Sequence, residues 1–275
     1  MARFVPDTNT LRWVIISPHR ALRPGEELKK KREWKRKCPF CPGSPVLAED
    51  EVFRLSAGGK LWKVLVVKNK YPITDIAEVI ILSPDHRKDF DKLSCEHIGY
   101  VLQTYRQRYQ THQKTGQVFI FHNFGEKAGA SVEHPHSQLI VLPFQIEIRP
   151  LKREPVFNVV EEGEDFIVYC PEFSQWPYEV WITPRSLGLT FGEITDGEIE
   201  ELALFLKKTI VSLKKLFPNL SYNFYIYPGR SWYLRVIPCL VERGGVELGT
   251  GIQVNIVDPK QAALEIKQIF SKVKV

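Results

Sequence analysis

Two histidines separated by one residue, His134-Pro135-His136, are the side chains in this sequence best suited to chemistry. A neutral imidazole attacks phosphorus well and leaves readily from the phosphoramidate it forms, so it can split one hard substitution into two easier ones. The residues around the pair suit an anionic substrate. Asn123, Gly125, Gly129 and Ser131 precede it in NFGEKAGASVEHPHSQ, and Gln138 follows it. Glycines let backbone N–H groups approach an anion closely, and the Asn, Ser and Gln side chains can hydrogen-bond phosphate oxygens. If the segment is extended, as Pro135 favours, residues two apart share a face and both imidazoles could address one site. Each ring could equally be a structural histidine with its hydrogen bonds satisfied. A second candidate is Cys38-x-x-Cys41, a spacing shared by zinc sites and redox pairs. Pro39, Pro42 and Pro45 around it mark a knuckle-like turn rather than the start of a helix.

The elements that must hold these residues are written twice. Glu78–Leu82 is an apolar, β-rich run ending at Ser83-Pro84, and Glu179–Ile182 ends the same way at Thr183-Pro184. Each is followed by an amphipathic helix. Ser94 caps the first, with Ile98, Val101, Leu102, Tyr105 and Tyr109 on one face. Thr195 and Glu198 form a capping box for the second, whose stripe is Ile199, Leu202, Leu206, Ile210 and Leu213. An aromatic strand then follows in each copy (Val118–His122; Tyr222–Tyr227), and a last strand runs into proline (Gln138–Pro143; Tyr233–Pro238). A final helix opens with Asp258 and Pro259. Segregated antiparallel strands with one crossing helix per copy predict an α+β fold of two tandem repeats, residues 1–150 and 151–275. Aligning Pro143 with Pro238 sets Ser231 opposite His136. A serine cannot form the phosphoramidate, so the second copy is expected to be non-catalytic.

Composition narrows the class. The 275 residues are 44% hydrophobic and 25% charged, which excludes disordered, collagen-like and coiled-coil chains. The longest apolar run, Phe166–Cys170, is far short of a membrane span, and the N-terminus lacks a secretory signal, so a cytosolic protein without membrane attachment is expected. Between Arg20 and Lys37 lie nine Lys or Arg and three Glu, a balance equal to the whole net charge of +6. Such a patch attracts polyanions, and on a neutral body it suits a phosphate-bearing small molecule as well as nucleic acid. There is no GxGxxG and no P-loop.

The order Asn-x-Gly, Ala-Gly-x-Ser, His-Pro-His-x-Gln resembles the galactose-1-phosphate uridylyltransferase family, a two-repeat branch of the histidine triad superfamily. Further stations extend the resemblance over nearly the whole chain: Ser17-Pro18-His19-Arg20 with Arg23, Cys38-Pro39-Phe40-Cys41, Asn69-x-Tyr71-Pro72, Ser83-Pro84-Asp85-His86 and Trp176-Pro177-Tyr178-Glu179. The resemblance implies two histidine-triad-like repeats and a ping-pong transfer of UMP from UDP-glucose to galactose 1-phosphate. His136 would be the nucleophile, with Gln138 and Ser131 acting on the transferred phosphate. Arg20, Arg23, Asn69, Asn123 and Gly125 would bind substrate. Cys38, Cys41, His86 and His134 would hold a structural zinc ion. The partners implied are a nucleotide sugar, a sugar 1-phosphate and a second copy of the chain in a homodimer.

One departure bears on specificity. Where uridylyltransferases carry a Tyr-Glu pair that reads the hexose, this chain has Thr250 and Gly251 within GGVELGTG, which looks more like plant ADP-glucose phosphorylase. An ADP-glucose or dinucleoside polyphosphate phosphorylase using the same histidine is the alternative. A phosphoramidate hydrolase is disfavoured by Gln138, which moves protons poorly. A zinc-containing RNA-binding module is disfavoured because no RNP-like aromatic motif accompanies the basic run, so no nucleic-acid partner is expected.

Overall fold

A computed structural model describes residues 3–7, 12–16, 38–56, 58, 62–148 and 156–274. β1 (Arg3–Asp7) and β2 (Arg12–Ile16) pair antiparallel by themselves. The other ten strands form one antiparallel sheet, and its order displays the duplication. The first half contributes β3 (Glu51–Leu55), β4 (Val64–Lys68), β5 (Ala77–Ile81), β6 (Gln117–Phe124) and β7 (His136–Leu142). A short helix α1 (Pro45–Glu49) precedes them, and α2 (Cys95–His112) joins β5 to β6. The second half contributes β8 (Val159–Glu162), β9 (Phe166–Tyr169), β10 (Val180–Pro184), β11 (Tyr222–Ile226) and β12 (Leu234–Pro238), with α3 (Asp196–Leu216) between β10 and β11. Helices α4 (Gly245–Thr250) and α5 (Pro259–Phe270) follow.

Across the sheet the strands run β3-β4-β5-β7-β6-β11-β12-β10-β9-β8. Each half therefore places its last strand between its third and fourth, and the halves meet where β6 pairs with β11. The antiparallel α+β architecture agrees with the expectation. Two features differ from it: each half has five strands rather than three, and the two repeats share a single sheet. The expected repeat boundary at 150/151 falls outside the described residues.

The helices start where their caps dictate. The Ser94 side chain accepts from the His97 N–H, and Thr195 with Glu198 forms the complete capping box. Their apolar stripes pack on one face of the sheet, where Ile98, Val101, Leu102, Leu202, Leu206 and Ile210 are buried with Leu139, Val141, Phe224 and Val236. Burying stripe and strand together supplies the main stabilisation, at about 25 cal/mol per Å² of apolar area. A buried polar cluster joins the two halves within this core. The buried Asp89 carboxylate accepts from Tyr222 of β11 and from Lys214 of α3, and its other oxygen lies 3.3 Å from His122 Nε2. The opposite face carries Phe40, Trp62, Leu65, Val67, Val79 and Ile81 in the first half, and a stack of Tyr227, Tyr233 and Trp181 in the second. That face of the first half holds the site. No helix among the described residues is long and apolar enough to cross a membrane.

Candidate active site and metal centre

β7 begins at His136, so His134 lies just before the strand and the two rings part ways. The His136 ring faces a cavity of about 210 Å³, while His134 is fully buried beside the knuckle. The expectation that both imidazoles share one site is thus replaced by two adjoining sites, as the family resemblance implied. The His134 carbonyl lies 2.8 Å from His136 Nδ1. A carbonyl can only accept, so Nδ1 carries the hydrogen and the lone pair lies on Nε2, the arrangement an attacking imidazole needs. Phe40 packs its edge against this ring with centroids 5.0 Å apart and against His134 at 6.3 Å, linking knuckle and strand.

Asn69, Ser131, Gln138 and His136 line the same cavity, with Phe40, Val67, Tyr71 and Val79 as its apolar walls. Asn123 and Gly125 line a neighbouring cavity of about 260 Å³, which shares Val132 with the first. Gly125 has φ +85°, and a Cβ there would overlap the Ser221 side chain of the second half. Gly129, at φ +77°, ends the short turn Glu126–Ala128 in a left-handed conformation. These two positions need glycine, and they turn the loop on itself, with the Ala130 N–H donating to the Gly125 carbonyl at 3.2 Å. Arg20 and Arg23 lie outside the described residues. Sequence reasoning missed Phe40 as a wall of the site; its place between Cys38 and Cys41 was the available signal.

Four donors meet beside the strand. One ligand atom each from Cys38, Cys41, His86 and His134 lies within 4.8 Å of all the others. His86 Nδ1 is 3.3 Å from Cys41 Sγ, and His134 Nδ1 is 3.7 Å from both sulfurs. Tetrahedral zinc with ordinary bond lengths sets sulfur and nitrogen about 3.6 Å apart. His134 Nε2 lies 2.8 Å from the Ser83 carbonyl, which turns its Nδ1 lone pair inward. Burial lowers the His134 pKa, keeping the ring neutral as a ligand must be. Burial also pushes the Cys38 thiol up to about 11, against the pull of the Phe40 N–H. A thiol held that high gives up its proton near neutrality only to a cation. The residues fit a metal ion, and a soft, four-coordinate one best.

The register of the sheet corrects one expectation. His136 pairs with Ile81 and Arg235 with Trp181. Taking Pro84 and Pro184 as counterparts, the residue equivalent to His136 is Arg235, while Ser231 lies in the loop before β12 with φ +59°. Arg235 is buried against Glu179 with N–O distances of 2.7 and 2.8 Å. The second half therefore carries a buried ion pair where the first carries the imidazole.

Comparison with known proteins agrees with this picture. Residues 70–145 match the model of the galactose-1-phosphate uridyl transferase N-terminal domain. An ADP-glucose phosphorylase of Arabidopsis thaliana is 27% identical, covering 96% of this chain and 92% of the relative. A galactose-1-phosphate uridylyltransferase of Thermotoga maritima is 25% identical, covering 93% and 95%. The crystal structure of an Arabidopsis thaliana ADP-glucose phosphorylase with bound ADP-glucose superposes with a TM-score of 0.76 at 26% identity, over the whole of both chains. A uridylyltransferase structure gives 0.80 at 22% identity, again over both whole chains, and shares the fold. Fold, site and relatives together define a nucleotidyl-transferring enzyme. The resemblance to the galactose-1-phosphate uridylyltransferase family, read from the motifs, is borne out over most of the chain.

Proposed function

We propose that the protein transfers a nucleotidyl group from a nucleotide sugar to a phosphate-bearing acceptor through a covalent nucleotidyl-His136. The observation that carries this is the His136 imidazole, held by the His134 carbonyl in the tautomer that places its lone pair on Nε2, beside a cavity that Ser131 and Gln138 also line. In the first half-reaction Nε2 bonds to the α-phosphorus as the sugar 1-phosphate, or glucose 1-phosphate from ADP-glucose, leaves with the bridging oxygen. In the second, the acceptor oxygen attacks phosphorus and the imidazole leaves. Ser131, Gln138 and Asn123 donate to the phosphate oxygens as charge shifts between them, and Phe40, Val67, Tyr71 and Val79 receive the base. Arg20 and Arg23 add cationic contacts to the phosphates in this reading.

Two donors share this machinery. UMP transfer from UDP-glucose to galactose 1-phosphate is the family reaction. Adenylyl transfer from ADP-glucose to inorganic phosphate is favoured by Thr250 and Gly251. Thr250 spends its hydroxyl on the Val246 carbonyl, and Gly251 closes α4 at φ +74°, so this pair offers no acidic or phenolic group to a hexose. In single turnovers of enzyme preloaded from ADP-glucose, phosphate should discharge the nucleotidyl group as ADP. Loading from UDP-glucose alone, with discharge by galactose 1-phosphate and not by phosphate, would restore the uridylyltransferase reading.

The cluster of Cys38, Cys41, His86 and His134 would hold zinc, which would secure the strand entry two residues before His136 rather than activate water, since all four positions are filled by protein. The protein is further read as a cytosolic homodimer. Val246, Leu248, Ile252 and Ile256, on α4 and the segment after it, have 59–73% of their surface exposed, and a second copy is the partner assigned to them.

A further inference from the structure

The second half has no histidine, yet one of its side chains reaches the glycine-rich loop of the first. Asn223 on β11 stands opposite Asn123 on β6 in the pairing that joins the two halves. The β6–β7 register, carried one residue beyond His122–Ser137, brings Asn123 beside His136. Asn223 Nδ2 lies 2.8 Å from Asn123 Oδ1 and 2.9 Å from the Ala128 carbonyl, and the Cys239 thiol lies 3.2 Å from Asn223 Oδ1.

This network fixes which way each amide points. A backbone carbonyl only accepts, so the Asn223 group facing Ala128 must be its NH₂. That NH₂ has two hydrogens, and the second faces Asn123, whose carbonyl oxygen must therefore turn toward it. Were Asn123 reversed, two NH₂ groups would meet. The remaining end of Asn223 is its oxygen, and it meets a thiol that burial raises to about 11 and so keeps protonated. With its oxygen committed to Asn223, Asn123 directs its NH₂ away from the second half, toward the cavity whose wall it forms.

We propose that Asn223 is a positioning residue: by claiming the Asn123 carbonyl it presents the Asn123 NH₂, rather than its oxygen, to a phosphate oxygen of the bound nucleotide. The inference rests on the nucleotidyl-transfer reading and explains what the second half contributes to a reaction it cannot perform.

Asn223→Asp and Asn223→Leu separate orientation from mere packing. Aspartate can only accept, so it draws the Asn123 NH₂ toward itself and turns the Asn123 oxygen onto the phosphate, whereas leucine leaves Asn123 able to rotate. Both are made with and without Asn123→Ala, and the rate of nucleotidyl attachment to His136 is measured with ADP-glucose and UDP-glucose below the unfolding midpoint of each variant. Losing or reversing a hydrogen bond to a charged group is worth about tenfold to a hundredfold. Asn223→Asp should slow attachment by about that factor and Asn223→Leu by less, and neither should add to the loss in the Asn123→Ala background. Equal slowing by Asp with Asn123 absent would reveal through-space charge and overturn the proposal, as would attachment at the unaltered rate in Asn223→Asp. If the unaltered protein takes no label from either sugar nucleotide, the nucleotidyl-transfer reading itself falls, and this inference with it.

Discussion

At the scale of single residues, the site depends on what each hydrogen bond forbids. The His134 carbonyl forbids a lone pair on His136 Nδ1, and the Ser83 carbonyl forbids one on His134 Nε2. The two imidazoles thereby keep their lone pairs on opposite ring nitrogens, Nε2 of His136 and Nδ1 of His134, and the latter faces the Cys38 and Cys41 sulfurs. The zinc assignment is tested by metal analysis of Cys38→Ser. Removing one of four donors should lower zinc content from one equivalent per chain to well below one, and unchanged content would remove these residues from the site. Most of these residues were legible in the sequence because their types are rare and their spacing is local: His-Pro-His, Cys-x-x-Cys and the two glycines. Phe40 and Asn223 were not. Phe40 acts by packing on a ring ninety-six residues away, which only its place between Cys38 and Cys41 hints at, and Asn223 by a cross-strand register that no local pattern records.

At the scale of elements, α2 is pinned as well as packed. Glu78 of β5 accepts from Arg108 at 2.6 and 2.9 Å, and its Oε1 lies 2.8 Å from His112 Nε2, one helical turn beyond Arg108. Burial alone would raise the Glu78 pKa, but the bonds from His112 and Arg108 outweigh it and hold the carboxyl below its ordinary 4.5. A carboxylate with a depressed folded pKa stabilises the protein above its unfolded pKa, and that stability is lost as pH falls through the folded value. Glu78→Gln should therefore cost about 3 kcal/mol near neutrality, and thermal melts should show the gap to the parent protein shrinking as pH drops below about 4.5. A gap that stays constant down to acid unfolding would show that the carboxylate charge contributes nothing.

Helix positions were legible because Ser94 and the Thr195–Glu198 box act within one turn of chain. Strands β3, β4, β8 and β9 were not legible, because short apolar runs such as Val64–Val67 and Phe166–Tyr169 have no periodicity that separates a strand from a buried helix.

At the scale of the molecule, the repeats are fused rather than adjacent. β6 and β11 share five paired positions at the middle of one sheet, and Asp89 of the first half is held by Tyr222 and Lys214 of the second. Such a core should unfold as a unit. Calorimetry should give one transition with matching calorimetric and van't Hoff enthalpies, and two resolved transitions would mean that the halves are independent. The fusion was not legible because an aromatic strand such as Tyr222–Ile226 carries the same alternation whether its neighbour is its own repeat or the other. The apolar side chains of α4 and the following segment make a second prediction at this scale. Sedimentation should report a dimer, and Leu248→Glu with Ile256→Glu should shift it toward monomer; a monomeric parent protein would leave those side chains without the partner assigned to them.

The most direct measurement is intact-mass and peptide mass spectrometry of the protein after incubation with ADP-glucose or UDP-glucose and no acceptor. The account predicts the gain of one adenylyl or uridylyl group on the peptide containing His136, absent from His136→Ala and discharged by acceptor. A chain that gains no mass with either donor, or a label that persists in His136→Ala, would contradict it.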